Sequence, residues 1–181
     1  MTVMDHRDQV YDEWLVLRCQ SGEAAALDEL ITRWQERLWR HALRLTGDRD
    51  TAWDVLQETM MAISRGIERL VEPAAFPSWA YRIATNQSLS HLRRKRRQQM
   101  SLESYFNEQL TEPGMNFSRD QAMDLQAALK QLSNAQQALV SLHYEEGFSV
   151  AEIAGILGIH AGTVKSRLYA ARQQLRTLLE E

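Results

Sequence analysis

The chain has one cysteine, three prolines and eight glycines in 181 residues. With Cys19 alone, no disulfide forms within the chain and no cysteine-based zinc site is possible; a reducing compartment, the cytoplasm, fits. So few prolines and glycines leave little material for the many turns of a β-rich fold, and an all-α fold is expected. Met1 to Val10 carries Asp5, Arg7 and Asp8 and has no apolar centre, so it does not read as a secretory signal. No stretch approaches the roughly 20 apolar residues that span a bilayer, and no membrane insertion is expected. His6, His41, His91, His143 and His160 are scattered, with no HExxH or metal-spaced pair, and there is no glycine-rich phosphate loop. No metal, cofactor or catalytic set is expected, and an enzyme is the remotest reading.

The remaining composition is that of an ordinary soluble protein, 44% hydrophobic and 25% charged, long enough for one domain or two small ones. A net charge of −3 argues against coating DNA through total charge, but the charges are unevenly placed. Residues 1–30 hold seven acids, Asp5, Asp8, Asp12, Glu13, Glu23, Asp28 and Glu29, against Arg7 and Arg18. Arg93, Arg94, Lys95, Arg96 and Arg97 form an unbroken basic run, and Ile153 to Leu179 contains no acid while carrying Lys165, Arg167, Arg172 and Arg176. Two local basic surfaces on an acidic protein point to anion binding at two places.

Apolar residues recur at three- and four-residue steps, as in Leu27, Leu30, Ile31, Trp34, Leu38 and Leu45. Gly22 and Gly47 stand at plausible helix ends, a third helix is expected from about Asp50 to Leu70, and a fourth from about Ser78 into the basic run. Pro73 and Pro77 bracket a loop between them. Residues 98–122 are polar, contain Pro113-Gly114 and lack a sustained apolar face, so they read as a linker between a domain over 1–97 and another over 123–181. In the second domain, Ser133 with Gln136 and Ser149 with Glu152 have capping-box spacing, marking helix starts near 134 and 150, with Gly147 and Gly158 as stops.

The segment from Val150 to Leu175 has helix-turn-helix spacing: a short helix, a turn at Gly158, and a second helix from about Ala161. Ile153, Ala154 and Leu157 are expected inward on the first helix, and Val164, Leu168, Ala171 and Leu175 on the second, with Ile159 plugging the turn. The opposite face carries Thr163, Lys165, Ser166, Tyr169, Arg172 and Gln173, phosphate and base-edge donors in the register of a major-groove helix. A solvated bundle face is the plainer reading of the same residues.

From Leu125 to Leu178 the chain resembles region 4 of the group IV, extracytoplasmic-function sigma factors of bacterial RNA polymerase, through the Leu-Ser helix start, the Tyr144-Glu145-Glu146-Gly147 turn, Ala151-Glu152-Ile153-Ala154 and Gly162-Thr163-Val164-Lys165-Ser166-Arg167-Leu168. The resemblance makes Lys165, Ser166 and Tyr169 readers of a −35 element and leaves Arg172 and Arg176 to phosphate or solvent. His160 stands where the family has Ser, a change able to add a phosphate contact or a pH-sensitive cap, and Ala170 where many members carry Arg. Upstream, Asp54, Gln57, Glu58 and Met61 share one helix face and resemble the region 2.2 pattern, with Val55, Thr59 and Ala62 turned away. Family resemblance makes that face a dock for the clamp helices of the polymerase β′ subunit, and gives region 4 the β flap. Trp79, Tyr81, Arg82, Ile83, Ala84 and Asn86 match the family's Trp-x-Tyr-Arg-Ile-Ala-x-Asn signature of regions 2.3 and 2.4. The family holds a single-stranded −10 element there: the loop from Gly66 to Pro77 for a flipped base, Arg82 and Asn86 for the strand, Arg93 to Arg97 for phosphates. Trp79 and Tyr81 serve equally well as core. Ser90 stands where Asp is common.

The resemblance implies a promoter-selecting polymerase subunit of two small helical domains, with core RNA polymerase, promoter DNA and an anti-sigma factor as partners and no chemistry of its own. Two promoter elements two helical turns apart lie roughly 70 Å from each other. A 25-residue coil averages about 25–30 Å, so the linker of 98–122 is expected to be stretched on a scaffold. The rival reading is a helix-turn-helix regulator with a helical sensor domain, which leaves residues 78–97 unexplained.

Overall fold

A computed structural model describes residues 6–106 and 125–180, and every described element is helical. The amino-terminal unit comprises α1 (His6–Gln20), α2 (Ala24–Thr46), α3 (Arg49–Gly66), two short 3-10 turns (Ile67–Arg69 and Pro73–Ala75) and α4 (Phe76–Phe106). The carboxy-terminal unit comprises α5 (Leu125–Lys130), α6 (Asn134–Val140), a π-helical turn (Ser141–Glu145), α7 (Val150–Leu157) and α8 (Ala161–Glu180).

Local chemistry sets the boundaries. Gly47 ends α2 at φ 68°, a conformation in which a side chain is strained, and its N–H caps the Leu43 carbonyl. Asp48 then opens α3 by accepting the Thr51 N–H at 2.9 Å. Ser133 and Ser149 form complete capping boxes with Gln136 and Glu152, and the helices begin at the residues after them.

The amino-terminal core is built around Trp34, 2% exposed, with Phe76 edge-on at 5.2 Å and Leu15, Leu30, Leu38 and Ile63 around them. Asp12 is buried beneath α2, where it accepts from Trp34 Nε1 at 3.1 Å and Arg33 Nε at 2.9 Å. Burial raises its pKa, and Arg33 opposes that shift. The carboxy-terminal core is aliphatic: Leu139, Leu142, Ile153, Ile156, Val164 and Leu168.

Two expectations meet a different structure. The basic run is not the end of its helix, since α4 continues to Phe106, nine residues beyond Arg97. Of the expected linker, 107–124 lie outside the described residues. Second, the units are packed together, with α7 lying against α4 and both cores joined in one buried cluster. The Tyr81 ring meets Phe148 edge-on at 5.1 Å, and its hydroxyl donates to Glu146. Arg44 pairs with Glu145 at 2.8 Å and Glu146 at 2.9 Å.

Candidate nucleic-acid interface

The short α7 is fixed at both ends, by the Ser149–Glu152 box and by Gly158 at φ 65°. Ile159 N–H then reaches the Ala154 carbonyl at 3.1 Å, and the His160 carbonyl accepts from Val164 N–H at 3.1 Å, starting α8. The turn therefore has satisfied backbone groups and a defined angle. Val164, Leu168 and Ala171 are buried on α8 as expected, and Leu175 is half-buried. On α7 the inward pair is Ile153 with Ile156, both essentially buried. Leu157 and Ala154 are only partly covered, because the helix is clasped between α8 and α4 and turns its 153/156 edge into the core.

That packing leaves the other face of α8 to solvent. His160, Lys165, Ser166, Tyr169, Arg172 and Gln173 are exposed and Thr163 is half-buried. Tyr169 is 58% exposed, an aromatic ring with nothing of its own fold to cover. Lys165 and Arg172 have no carboxylate partner among the described residues, whereas Arg176 pairs with Glu180 at 2.7 Å. Arg176 thus stands outside the basic reading surface.

On α4 the pattern is split. Arg82, Asn86, Arg93 and Arg97 fall along one exposed face, and Arg94, Lys95 and Arg96 flank it, also exposed. No ion pair among the described residues neutralises the run. Trp79 is half-buried against Phe76, with centroids 6.1 Å apart. A Cβ on Gly66 would come within 2.9 Å of the Trp79 ring, so glycine there lets the indole lie against the end of α3. Trp79 therefore packs with part of its ring on its own fold and leaves the rest exposed. Tyr81, equally a candidate for the −10 strand and for the core, is 2% exposed, beneath the carboxy-terminal unit. Burial raises its pKa, with Glu146 adding to the shift. Only the Arg82/Asn86 side of the signature is presented.

The connection from Gly66 to Pro77 is held as two 3-10 turns. Gln20 Nε2 donates to the Ile67 carbonyl at 3.1 Å and the Leu70 carbonyl at 2.7 Å, and next to this anchor Val71 stands 96% exposed. Gln20 was not among the sequence candidates, since nothing in the residue string signals a hydrogen bond across 47 positions. On α3, Asp54, Gln57 and Met61 are exposed and Val55 and Thr59 are fully buried, with Ala62 half-buried. Glu58 is drawn to one side: its carboxylate lies 3.2 Å from His91 Nε2, off the line of a good hydrogen bond. Trp53, 54% exposed, borders this stripe and stacks at 5.6 Å on Trp39. No group of side chains suited to a metal ion occurs among the described residues.

Residues 30–98 match the family model described as Sigma-70 region 2, and residues 122–175 match that for Sigma-70, region 4. The ECF RNA polymerase sigma factor SigL of Mycobacterium tuberculosis is 37% identical over 166 residues, covering 89% of this chain and 93% of that protein. SigE of Mycolicibacterium smegmatis is 37% identical over 167 residues, covering 88% of this chain, which spans 65% of that longer relative. Two solved structures share the fold: RpoE in complex with the anti-sigma factor NepR from Bartonella quintana (TM-score 0.66, 24% identity, 84% of this chain and 96% of that one), and CnrH in complex with the cytosolic domain of CnrY (TM-score 0.68, 23% identity, 94% and 97%).

Proposed function

The chain belongs to the extracytoplasmic-function sigma factors of the sigma-70 family, and from that premise we propose that it binds core RNA polymerase and directs it to a specific set of promoters. The amino-terminal unit, 1–97, docks on polymerase and holds the −10 strand; the carboxy-terminal unit, 123–181, reads the −35 duplex; residues 98–122, the first nine of them continuing α4, carry the chain between them. It acts as an initiation factor beside the polymerase, and no described helix is long and apolar enough to cross a membrane.

The observation that carries this reading is the joint exposure, in one chain, of an α8 face without an acid from Ala161 to Leu179 and a basic face on α4 with no ion pair among the described residues. On α8, Lys165, Ser166 and Tyr169 offer base-edge and methyl contacts, and His160, Thr163, Arg172 and Gln173 phosphate or flanking contacts. On α4, Arg82 and Asn86 lie beside the strand and Arg93 to Arg97 track its phosphates, while the loop with Val71 at its tip receives the unstacked base. Asp54, Gln57, Glu58 and Met61 form the dock on α3, its acidic and amide groups suited to the basic, helical clamp of β′. The β flap is the contact for the carboxy-terminal unit. RpoE and CnrH are each seen with an inhibitory partner or a partner's cytosolic domain, and an anti-sigma factor completes the partners proposed for this chain.

Reconstitution tests the reading. Core polymerase is expected to retain this protein through gel filtration and to initiate at discrete start sites only in its presence. Failure of both retention and initiation would overturn it.

A further inference from the structure

His41 sits where the two units meet, fully buried on α2. Its Nε2 lies 2.8 Å from Thr85 Oγ1 of its own unit and its Nδ1 3.3 Å from Ser141 Oγ of the other, both hydroxyls being themselves buried. The Tyr81 ring stands edge-on to it at 5.1 Å, and Tyr81 is in turn packed on Phe148 and bonded to Glu146. The charged and titratable groups around it are few: Arg44 on its own helix, Tyr81 on α4, and Glu145 and Glu146 on the π-turn. The two carboxylates are already engaged by Arg44, with Tyr81 also on Glu146, so no anion is left for an imidazolium. Hydroxyls serve a neutral ring equally well as donors or acceptors. The same hydroxyls can also accept from an imidazolium, so it is full burial with no free anion that matches this contact to an uncharged His41.

We propose that the packed arrangement is a self-latched resting form of the protein, and that acid opens it through His41, whose uncharged ring at the contact is the form that acid removes. A buried cation without a counter-ion is strongly disfavoured, whereas a ring edge facing water accepts a proton readily. The sign follows. Burial, with Arg44 adding to it, lowers the closed-state pKa of His41 to about 3. An imidazole facing water titrates near about 6.5. The open form thus binds the extra proton, so closure is undiminished above about pH 6.5 and weakens about tenfold per pH unit below it. From pH 7.5 to 5.5 the closed-to-open ratio is expected to fall about tenfold for one linked proton.

The consequence for transcription rests on the function proposed above, since units in contact cannot also span two promoter elements; the opening itself does not. It is measured on the full chain without polymerase or DNA, by the distance distribution between spin labels at Gln35→Cys and Thr177→Cys, both exposed positions, while native Cys19 is buried and stays unlabelled. Glu146→Gln is added in every arm to bring the open population into range. Glu145, Arg44 and Tyr81 are then common to both arms, so a difference between them reports His41 alone. With His41 in place, the long-distance population should grow as pH falls from 7.5 to 5.5; with His41→Gln it should stay flat. If circular dichroism shows that His41→Gln does not fold, His41→Phe, also without a titrating proton, stands in. An equal response in both arms, no response in either, or helix loss in step with the distance change would overturn the proposal. Core polymerase added at pH 7.5 should lengthen the distance in both arms. If it is not bound, the polymerase reading fails while the acid response stands on its own result.

Discussion

In the amino-terminal unit Trp34, Phe76 and Tyr81 interlock edge-to-face at 5.2 and 6.2 Å, whereas the carboxy-terminal unit is centred on Leu139, Leu142, Ile153 and Ile156 and turns Phe148 outward onto its neighbour's Tyr81. The first unit buries large rings among four helices. The second has fewer than 60 described residues and short helices, a size at which a core alone gives marginal stability. Packing on α4 adds buried contact to it in this arrangement. The difference teaches that the carboxy-terminal unit is the more dependent of the two, and that the surface it leans on is part of the same helix that carries Arg82 and Asn86.

The sharpest way to break this comparison is to hollow out the larger core. Trp34→Ala should cost about 3–5 kcal/mol, the range for a buried tryptophan, and more than Ile153→Ala at about 2–5 kcal/mol. Chemical denaturation followed by circular dichroism checks it. If the units are as unequal as their cores suggest, Trp34→Ala should also lower the stability of the carboxy-terminal unit, because its support is lost. Equal losses confined to each unit would show the two to be independent.

Next come the two reading faces. Lys165→Ala and Tyr169→Ala should each weaken discrimination for the −35 element by about 1–3 kcal/mol in holoenzyme binding, with thermal stability unchanged, because both side chains are exposed. Arg93→Gln with Arg97→Gln should act differently. Contacts to single-strand phosphate carry a salt slope of about 0.7 each, so the pair should flatten the dependence of promoter affinity on salt without altering which sequence is preferred. Titration of open-complex formation between 50 and 200 mM salt, where the loss of two contacts amounts to roughly sevenfold, separates the two behaviours.

How much of this was readable in the residues follows from the range of the interactions. Capping boxes at Ser133 and Ser149, glycine stops at Gly47 and Gly158, and the buried faces of α3 and α8 are local or periodic, and the structure has them where the sequence puts them. The choice of Ile156 over Leu157 was not legible, because an eight-residue helix flanked by two partners has no single apolar stripe. Core was an open reading of Tyr81, but what covers it was not legible. Its partners, Glu146 and Phe148, lie more than 60 positions away and read from sequence as a turn. The end of α4 was hidden for another reason: polar residues such as Gln98 and Gln99 are good helix formers, so a stretch without an apolar face can still continue a helix already begun.

The smallest expected effect is the most local, and it bears on the dependence of the second unit. In α7, only eight residues long, the Ser149 hydroxyl accepts the Glu152 N–H at 3.3 Å while the Glu152 carboxylate accepts the Ser149 N–H at 2.8 Å. So short a helix has little cooperativity of its own. Ser149→Ala leaves the Glu152 N–H without its partner and should cost about 1 kcal/mol, whereas Ser149→Gly should cost only a few tenths. Urea denaturation of the two variants checks the order. If alanine and glycine are both silent, α7 is held by α4 and α8 regardless of its cap, and the dependence of the carboxy-terminal unit on its neighbour is stronger still. If the alanine penalty appears in full, the helix keeps its own start, and packing on α4 fixes where it sits without deciding whether it forms.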